Sequence, residues 1–181
     1  MTEPTDNPGG AVLRAIRAED LPQFLALNNA HAAELSLLAP EELAHLVDRA
    51  FLAIRTEAAA FLLAFDQDAA YASPNFLWMR RRFDRFVYID RVVVAQQARG
   101  LGLARQLYGA VLAAARRSGH GRVVCEVNSE PPNLASDAFH RAMGFAEIGN
   151  AALDGGRKSV RYMERPVFAA DAGSFAPAPA A

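Results

Sequence analysis

Two glycines one residue apart, Gly100 and Gly102, follow a run of β-branched residues and precede a helical pattern. A turn between a strand and a helix presents backbone N–H groups without partners, and with the helix dipole these groups favour an anion such as phosphate. Glycine adopts positive φ readily and lets a ligand lie against the backbone. Arg99 and Arg105 flank the turn and supply charge for a phosphate. The pattern predicts a phosphate-binding turn, and the alternative is a junction that binds nothing.

Two common phosphate-binding motifs do not fit this turn. The P-loop pattern Gly-x-x-x-x-Gly-Lys-Ser/Thr is absent from the chain. In the dinucleotide fingerprint Gly-x-Gly-x-x-Gly, Arg105 stands at the third glycine, and no acidic ribose ligand is well placed. The turn is therefore either a phosphate site of another class or a junction that binds no phosphate.

The elements around the turn follow from the hydrophobic pattern. Residues 86–95 are rich in β-branched and aromatic residues and form the strongest predicted strand. Residues 71–85 have an irregular pattern, with one or two helical turns. The whole chain predicts the order β-α-α-β-β-β-α-β-α-β-β, a mixed α/β domain. One helix after the turn has a single apolar face, formed by Leu103, Leu107, Val111 and Ala114.

Composition limits the class of protein. The 181 residues are 52% hydrophobic and 22% charged, typical of one globular domain, which we place at 11–168. We expect a flexible tail over 1–10 and a disordered Ala/Pro tail over 169–181. The net charge of -1 gives no general attraction for nucleic acid or an anionic membrane, so we expect neither partner. A single cysteine, Cys125, and no signal or membrane-spanning pattern predict a cytoplasmic protein.

A family resemblance rests on two motifs. The stretch "ARGLGLARQLY" resembles the acyl-CoA pyrophosphate loop of the GNAT superfamily of N-acetyltransferases, in the form Arg-Gly-x-Gly-x-Gly/Ala over residues 99–104. About thirty residues later, "NLASDAFHRAMGF" resembles the second motif of that superfamily. Residues of this second stretch match at the expected offsets: Asn133, Ser136, Phe139, Gly144 and Phe145. The chain is therefore identified as a member of this superfamily.

The resemblance implies a fold and a donor. The fold is a mixed, mostly antiparallel sheet of about seven strands, splayed between the fourth and fifth strands and flanked by about four helices. The cosubstrate is acetyl-CoA, whose pantetheine arm would lie along the backbone of Val92, Val93 and Val94. Its pyrophosphate would rest on the loop formed by Arg99, Gly100, Leu101, Gly102, Leu103, Ala104 and Arg105. Further contacts to the donor are expected from Asn128, Asn133, Ser136, Phe139 and His140.

The resemblance also suggests catalytic residues. Glu126 matches in position the glutamate of ribosomal-protein N-terminal acetyltransferases, and Asp90 precedes the glycine turn by a distance that the family also uses. Either carboxylate would take the ammonium proton of the acceptor, and an ordinary ion pair is the alternative for each. His140 stands where the family usually has a tyrosine acid. It would act as the acid, bind near the sulfur or pack within the fold. Tyr108 and Tyr88 are other hydroxyls that could substitute, but for Tyr108, on the helix after the turn, we expect a packing role instead.

The acceptor side is less specific. By analogy with the fold, Asn28, Asn29, Glu34 and Trp78 are expected to line the acceptor pocket, although Asn-Asn also suits a helix end. The histidines show no metal-ligand spacing, so we expect no metal.

These residues predict an N-acetyltransferase that moves an acetyl group from acetyl-CoA to a primary amine by direct attack in a ternary complex. The acceptor is a small-molecule or peptide amine. The alternatives are an acyl-CoA-binding sensor without catalysis, which the histidine at position 140 suggests, and an acyl hydrolase or a transferase of another acyl group. Homodimerisation is an option that the family resemblance allows.

Overall fold

A computed structural model describes residues 11–32, 35–57, 59–153, 155 and 158–168. The predicted tails, 1–10 and 169–181, lie outside the described residues, and so does Glu34.

The described part of the chain contains seven strands and five α-helices. The strands are β1 (Arg14–Ala15), β2 (Leu52–Arg55), β3 (Ala60–Asp66), β4 (Val87–Val94), β5 (Arg122–Glu130), β6 (Ala146–Leu153) and β7 (Lys158–Pro166). The helices are α1 (Leu21–Ala30), α2 (Pro40–Arg49), α3 (Pro74–Arg80), α4 (Leu103–Arg117) and α5 (Leu134–Ala142).

All seven strands form one sheet in the order β1-β2-β3-β4-β5-β7-β6. β4 and β5 are parallel, and each other pair of neighbours is antiparallel. The sheet confirms the predicted fold class.

The sheet opens between β4 and β5. These strands pair only at Val87 with Val123 and at Tyr88 with Val124. Beyond that point β4 continues to Val94 against β3, and β5 continues against β7. The two strands therefore diverge toward their carboxyl ends and leave a cleft, as the family resemblance implied.

β3 shows how the core is divided between the two faces of the sheet. Successive side chains of a strand point to opposite faces. Leu62 and Ala64 belong to the apolar cluster that contains the buried residues of α4. Phe61 and Leu63 belong to the cluster that contains Phe24 of α1. Helices cover both faces, which explains why every residue of this apolar strand from 60 to 65 is buried.

The helix after the glycine turn is α4, and its predicted apolar face is buried. Leu107 and Val111 are fully buried, and Leu103 and Ala114 retain less than a tenth of their exposure. The prediction for this helix is confirmed, and α4 fixes the glycine turn against the core.

One helix was only partly predicted. The segment expected to be irregular contains α3, which raises the number of α-helices in the described residues from the expected four to five. Ser73 caps it by accepting a hydrogen bond from the N–H of Phe76, and Pro74 occupies its first position. Phe76 and Met79 anchor α3 in the aromatic cluster that includes Tyr88.

Candidate active site

The glycine turn has the backbone geometry that its sequence predicts. Gly100 has φ +81° and Gly102 has φ +76°, a region that residues with a side chain rarely adopt. No atom lies within 4 Å of a β-carbon built on either residue, so the turn faces open space. Arg99 and Arg105 are both exposed beside it. The first N–H groups of α4 are therefore available for a ligand that lies on this turn.

A cavity of about 260 Å³, here called the outer cavity, extends from this turn along β4. It is bounded by β4, the start of α4 and one face of α5. Nine residues predicted to contact acetyl-CoA line it: Val92, Val93, Val94, Arg99, Ala104, Asn133, Ser136, Phe139 and His140.

The other predicted donor residues lie around this cavity. Gly100, Leu101, Gly102 and Arg105 are exposed on the turn, and Leu103 is buried beneath it. Asn128 lines the neighbouring cavity instead.

A second cavity of about 260 Å³, here called the inner cavity, occupies the cleft where β4 and β5 diverge. All three predicted catalytic residues line it: Asp90, Glu126 and His140. Five residues line both cavities, which are therefore contiguous: Leu35, Val92, Asn133, Ser136 and His140. Asp90 and Glu126 line only the inner cavity, beyond the residues that the two cavities share.

Glu126 is the carboxylate best suited to proton transfer. Its Oε2 is buried and accepts no hydrogen bond from the residues that the structure describes. Burial, with a smaller contribution from the charge of Asp90, raises the pKa of Glu126 from 4.5 to about 7. Hydrogen bonds from Tyr88 and Asn75 oppose this increase only in part. A carboxyl group with a pKa near neutrality is suited to general base catalysis.

Asp90, by contrast, belongs to a closed polar network. Its Oδ2 accepts a hydrogen bond from Nε of Arg91 at 2.6 Å, and its Oδ1 accepts one from the hydroxyl of Tyr71 at 2.5 Å. Arg91 also donates to Oδ1 of Asn28 at 2.9 Å. Both charged side chains are almost completely buried. The alternative considered for Asp90, an ion pair, is therefore present.

His140 is buried on α5, where both ring nitrogens have partners. Nδ1 lies 2.7 Å from the carbonyl oxygen of Ser136, so it carries a hydrogen and donates it. Nε2 lies 2.8 Å from the hydroxyl of Tyr108 and accepts from it when the ring is neutral. Burial lowers the pKa of His140 and raises that of Tyr108. The histidine is therefore neutral near pH 7, and the tyrosine keeps its proton.

Three residues predicted for the acceptor pocket, Asn28, Asn29 and Trp78, line neither cavity, and the fourth, Glu34, lies outside the described residues. Asn28 is fully buried and donates to the carbonyl of Ser36, and Asn29 exchanges two hydrogen bonds with the backbone of Leu38. Both amides hold the segment after α1 in place. Trp78 stacks on Tyr162 with ring centroids 3.9 Å apart, on the side of α3 that faces β6 and β7.

Sequence reasoning missed six polar residues of the inner cavity: Ser36, Tyr71, Ser73, Asn75, Arg91 and Lys158. Asn75 contacts Glu126 and accepts a hydrogen bond from the hydroxyl of Tyr162 at 3.1 Å. The cap Ser73 and the following proline were the available signal for α3, the helix that places Asn75. No local pattern marks Tyr71 or Lys158.

Within the described residues, no three histidine, cysteine or acidic side chains are grouped so that they could hold a metal ion. No helix among them is both long and apolar enough to cross a membrane.

The comparison with protein families identifies this arrangement. Residues 14–145 match the family model described as the acetyltransferase (GNAT) family, and this range is more than half of the chain. The chain belongs to the GNAT family. The resemblance inferred from its two motifs is thereby confirmed, and the glycine turn, the splayed strands and α5 are the elements that carry it.

Solved structures of other GNAT proteins share the fold. A ribosomal-protein-alanine N-acetyltransferase from Brucella melitensis has a TM-score of 0.66 at 20% identity, over 86% of this chain and 99% of that one. A GNAT superfamily phosphinothricin acetyltransferase from Sinorhizobium meliloti, in complex with AcCoA, has a TM-score of 0.66 at 19% identity, over 87% and 88%. An N-acetyltransferase from Staphylococcus aureus has a TM-score of 0.65 at 16% identity, over 88% and 99%. A comparison with curated proteins gave no match.

Proposed function

We propose that this GNAT protein transfers an acetyl group from acetyl-CoA to a primary amine by direct attack within a ternary complex. The observation that carries the proposal is the junction of the two cavities. The outer cavity begins at the glycine turn, and the inner cavity contains Glu126, whose buried Oε2 has no partner among the described residues. The two substrates would approach from opposite sides and meet at His140.

The residues of the outer cavity suit the donor. Backbone N–H groups at the start of α4, with Arg99 and Arg105 beside them, would hold the pyrophosphate. From Ile89 onward β4 has no described pairing with β5, so this edge of its backbone is available to the pantetheine arm. Val92 and Phe139 supply apolar contacts along the same path. Acetyl-CoA itself supplies the activated thioester.

Glu126 would act as the base. It removes a proton from the ammonium group of the acceptor, and the free amine nitrogen then attacks the carbonyl carbon of the thioester. The bond between carbon and sulfur breaks as the new amide bond forms, and the nitrogen releases its second proton. The products are the N-acetylated amine, CoA as its thiol and one proton.

Tyr108 is our candidate for protonating the departing sulfur. Tyr108 lines the inner cavity, and its hydroxyl remains protonated because burial raises its pKa. The neutral ring of His140 holds that hydroxyl in position, so the histidine at the place of the family's usual tyrosine would be a positioning residue. The pair therefore supplies a tyrosine hydroxyl from α4, whereas the family resemblance implied a tyrosine at position 140 on α5. The sensor alternative loses its main support, because the substitution at position 140 no longer leaves the site without a hydroxyl.

The test is release of CoA thiol from acetyl-CoA in the presence of a library of amines, with mass spectrometry of the products. We expect thiol release that depends on an amine and is matched by its acetylation. Binding of CoA without turnover of any amine would support a sensor, and thiol release without any amine would indicate a hydrolase. Failure to bind CoA would refute both the transferase and the sensor.

A further inference from the structure

The inner cavity contains four charged side chains among the residues that the structure describes: Asp90, Arg91, Glu126 and Lys158. Asp90 and Arg91 neutralise each other at 2.6 Å. Glu126, once deprotonated, and Lys158 remain as one negative and one positive group that line the cavity, and neither forms a salt bridge with another described residue. An acceptor therefore meets a pocket with two separated charges of opposite sign.

Lys158 is unusual in this sequence. The chain has 19 basic residues, and Lys158 is its only lysine. It is half-buried at the first position of β7, where it pairs with Leu153 of β6. Its charge is near enough to Glu126 to lower the pKa of that carboxyl group. An ammonium group at such a position can bind an anion by a charge-assisted hydrogen bond.

The strand register fixes the spacing between Lys158 and Glu126. Tyr162 of β7 lies opposite Glu126 of β5. Lys158 lies four residues before Tyr162 on the same face of its strand, roughly 13 Å along β7 at ~3.3 Å per residue. The long lysine side chain covers part of this distance. The positive and negative groups are thus fixed by two paired strands, and the acceptor has to match them.

We propose that the acceptor is a small zwitterionic amine of the amino-acid class. Its ammonium group binds at Glu126, and its carboxylate binds Lys158. This inference rests on the proposed acetyl transfer and specifies its substrate class. A diamine would place its second positive charge against that of Lys158. An uncharged monoamine would leave the lysine without a counterion. A cavity of about 260 Å³ suits an acceptor of this size.

The experiment compares carboxylates with their amides as acceptors. Glycine, β-alanine and γ-aminobutyrate vary the spacing between amine and carboxylate, glycinamide and β-alaninamide lack the negative charge, and putrescine carries a second positive one. An acidic dipeptide tests whether the carboxylate comes from a peptide. We expect kcat/KM for the best carboxylate to exceed that of its amide by about 10- to 100-fold, because a charge-assisted hydrogen bond has that effect on binding.

Three variants test the residue. Lys158→Gln is expected to remove the preference for the carboxylate through KM, because the contact is made equally in the ground state and the transition state. At a pH well above the pKa of Glu126, where the lost charge of Lys158 no longer changes the protonation of that carboxyl group, kcat and the amide reaction are expected to be almost unchanged. Lys158→Arg retains the charge and is expected to retain the preference. Arg141→Gln, which removes an exposed charge on α5, is the matched control and is expected to have no effect. Thermal unfolding of each variant establishes that it is folded.

The outcomes separate this inference from the proposed function. Equal use of carboxylates and amides by the wild type, or an equal loss of both in Lys158→Gln, overturns the zwitterion proposal and leaves acetyl transfer intact. Acetylation of Lys158 itself, seen as added mass on the protein without acceptor, overturns it too, because the lysine would then be an acceptor. Absence of turnover with every amine refutes the acetyl transfer, and the substrate class with it.

Discussion

Replacing Glu126 by glutamine removes the proposed base while preserving the size and most hydrogen bonds of the side chain. The loss of a general base lowers a rate by about 100- to 10,000-fold. We expect Glu126→Gln to reduce kcat/KM for the acceptor by an amount in this range, while CoA binding at the outer cavity stays the same. Steady-state thiol release and direct CoA titration measure the two quantities.

The pH profile gives a second, independent readout. The pKa of Glu126 is about 7, and the base acts only when it is deprotonated. The wild-type kcat/KM should therefore rise with pH and begin to level near pH 7. This inflection should be absent from Glu126→Gln. Titration of the acceptor amine adds its own pH dependence, which is the same for the wild type and the variant. A variant that retains wild-type turnover and the same inflection would refute the assignment of Glu126 as the base.

The same substitution should stabilise the fold at alkaline pH. The pKa of Glu126 is raised from its ordinary value of 4.5 to about 7, so the folded state holds this proton more tightly than the unfolded state does. Its contribution to stability is present below pH 4.5 and is lost as the pH rises to about 7. The difference corresponds to about 3–4 kcal/mol, at about 1.4 kcal/mol per pKa unit.

We therefore expect Glu126→Gln to be more stable than the wild type at pH 8 by up to about 3–4 kcal/mol, with little difference near pH 4.5. Urea unfolding at both pH values measures this difference. Glu147→Gln, at an exposed position on β6, is the matched control and should show no such dependence. Equal stabilities of Glu126→Gln and the wild type at pH 8 would show that burial does not disfavour the Glu126 carboxylate.

Three further substitutions test the surrounding elements. Asp90→Asn leaves the buried cation of Arg91 without its counterion and should destabilise the fold by about 3–5 kcal/mol in urea unfolding, whereas an unchanged stability would contradict the structural role of this pair. Tyr108→Phe should lower kcat with little change in KM for acetyl-CoA, and a wild-type kcat would exclude the hydroxyl that His140 positions. Gly102→Ala forces a residue with a side chain into the left-handed region, which should lower the free energy of unfolding by roughly 1–2 kcal/mol in thermal unfolding. The same change should weaken CoA binding in calorimetry, and an unaltered CoA affinity would argue against a phosphate-binding site on this turn.

The sequence was most informative where a function depends on neighbours along the chain. The glycine turn needs positive φ at Gly100 and Gly102 and a helix directly after them, and both requirements are visible as local spacing. Asn133 caps α5 by accepting from the N–H of Ser136 at 3.1 Å, another contact within one turn. The strand of residues 86–95 and the apolar face of α4 follow from periodicity. The fold and most of the lining of the outer cavity were predictable for this reason.

The inner cavity depended on contacts that periodicity does not encode. The sequence left both Asp90 and Glu126 as candidate bases, and only their surroundings in the fold distinguish them. Arg91 neutralises Asp90 and Tyr71 donates a hydrogen bond to it, while Glu126 remains buried with an oxygen that has no hydrogen-bond partner among the described residues. Each environment is assembled from segments distant in the chain, because electrostatic interactions follow distance in space.

The amino-acid sequence by itself therefore determined the strand–turn–helix unit, the second motif and the architecture that holds them. Tertiary structure alone decided which carboxylate is suited to take a proton, that Tyr108 meets His140, and that the only lysine faces the inner cavity. The physical reason is the range of the forces involved. Backbone conformation and capping act over a few residues, whereas burial and charge pairing depend on which strands and helices the fold brings together.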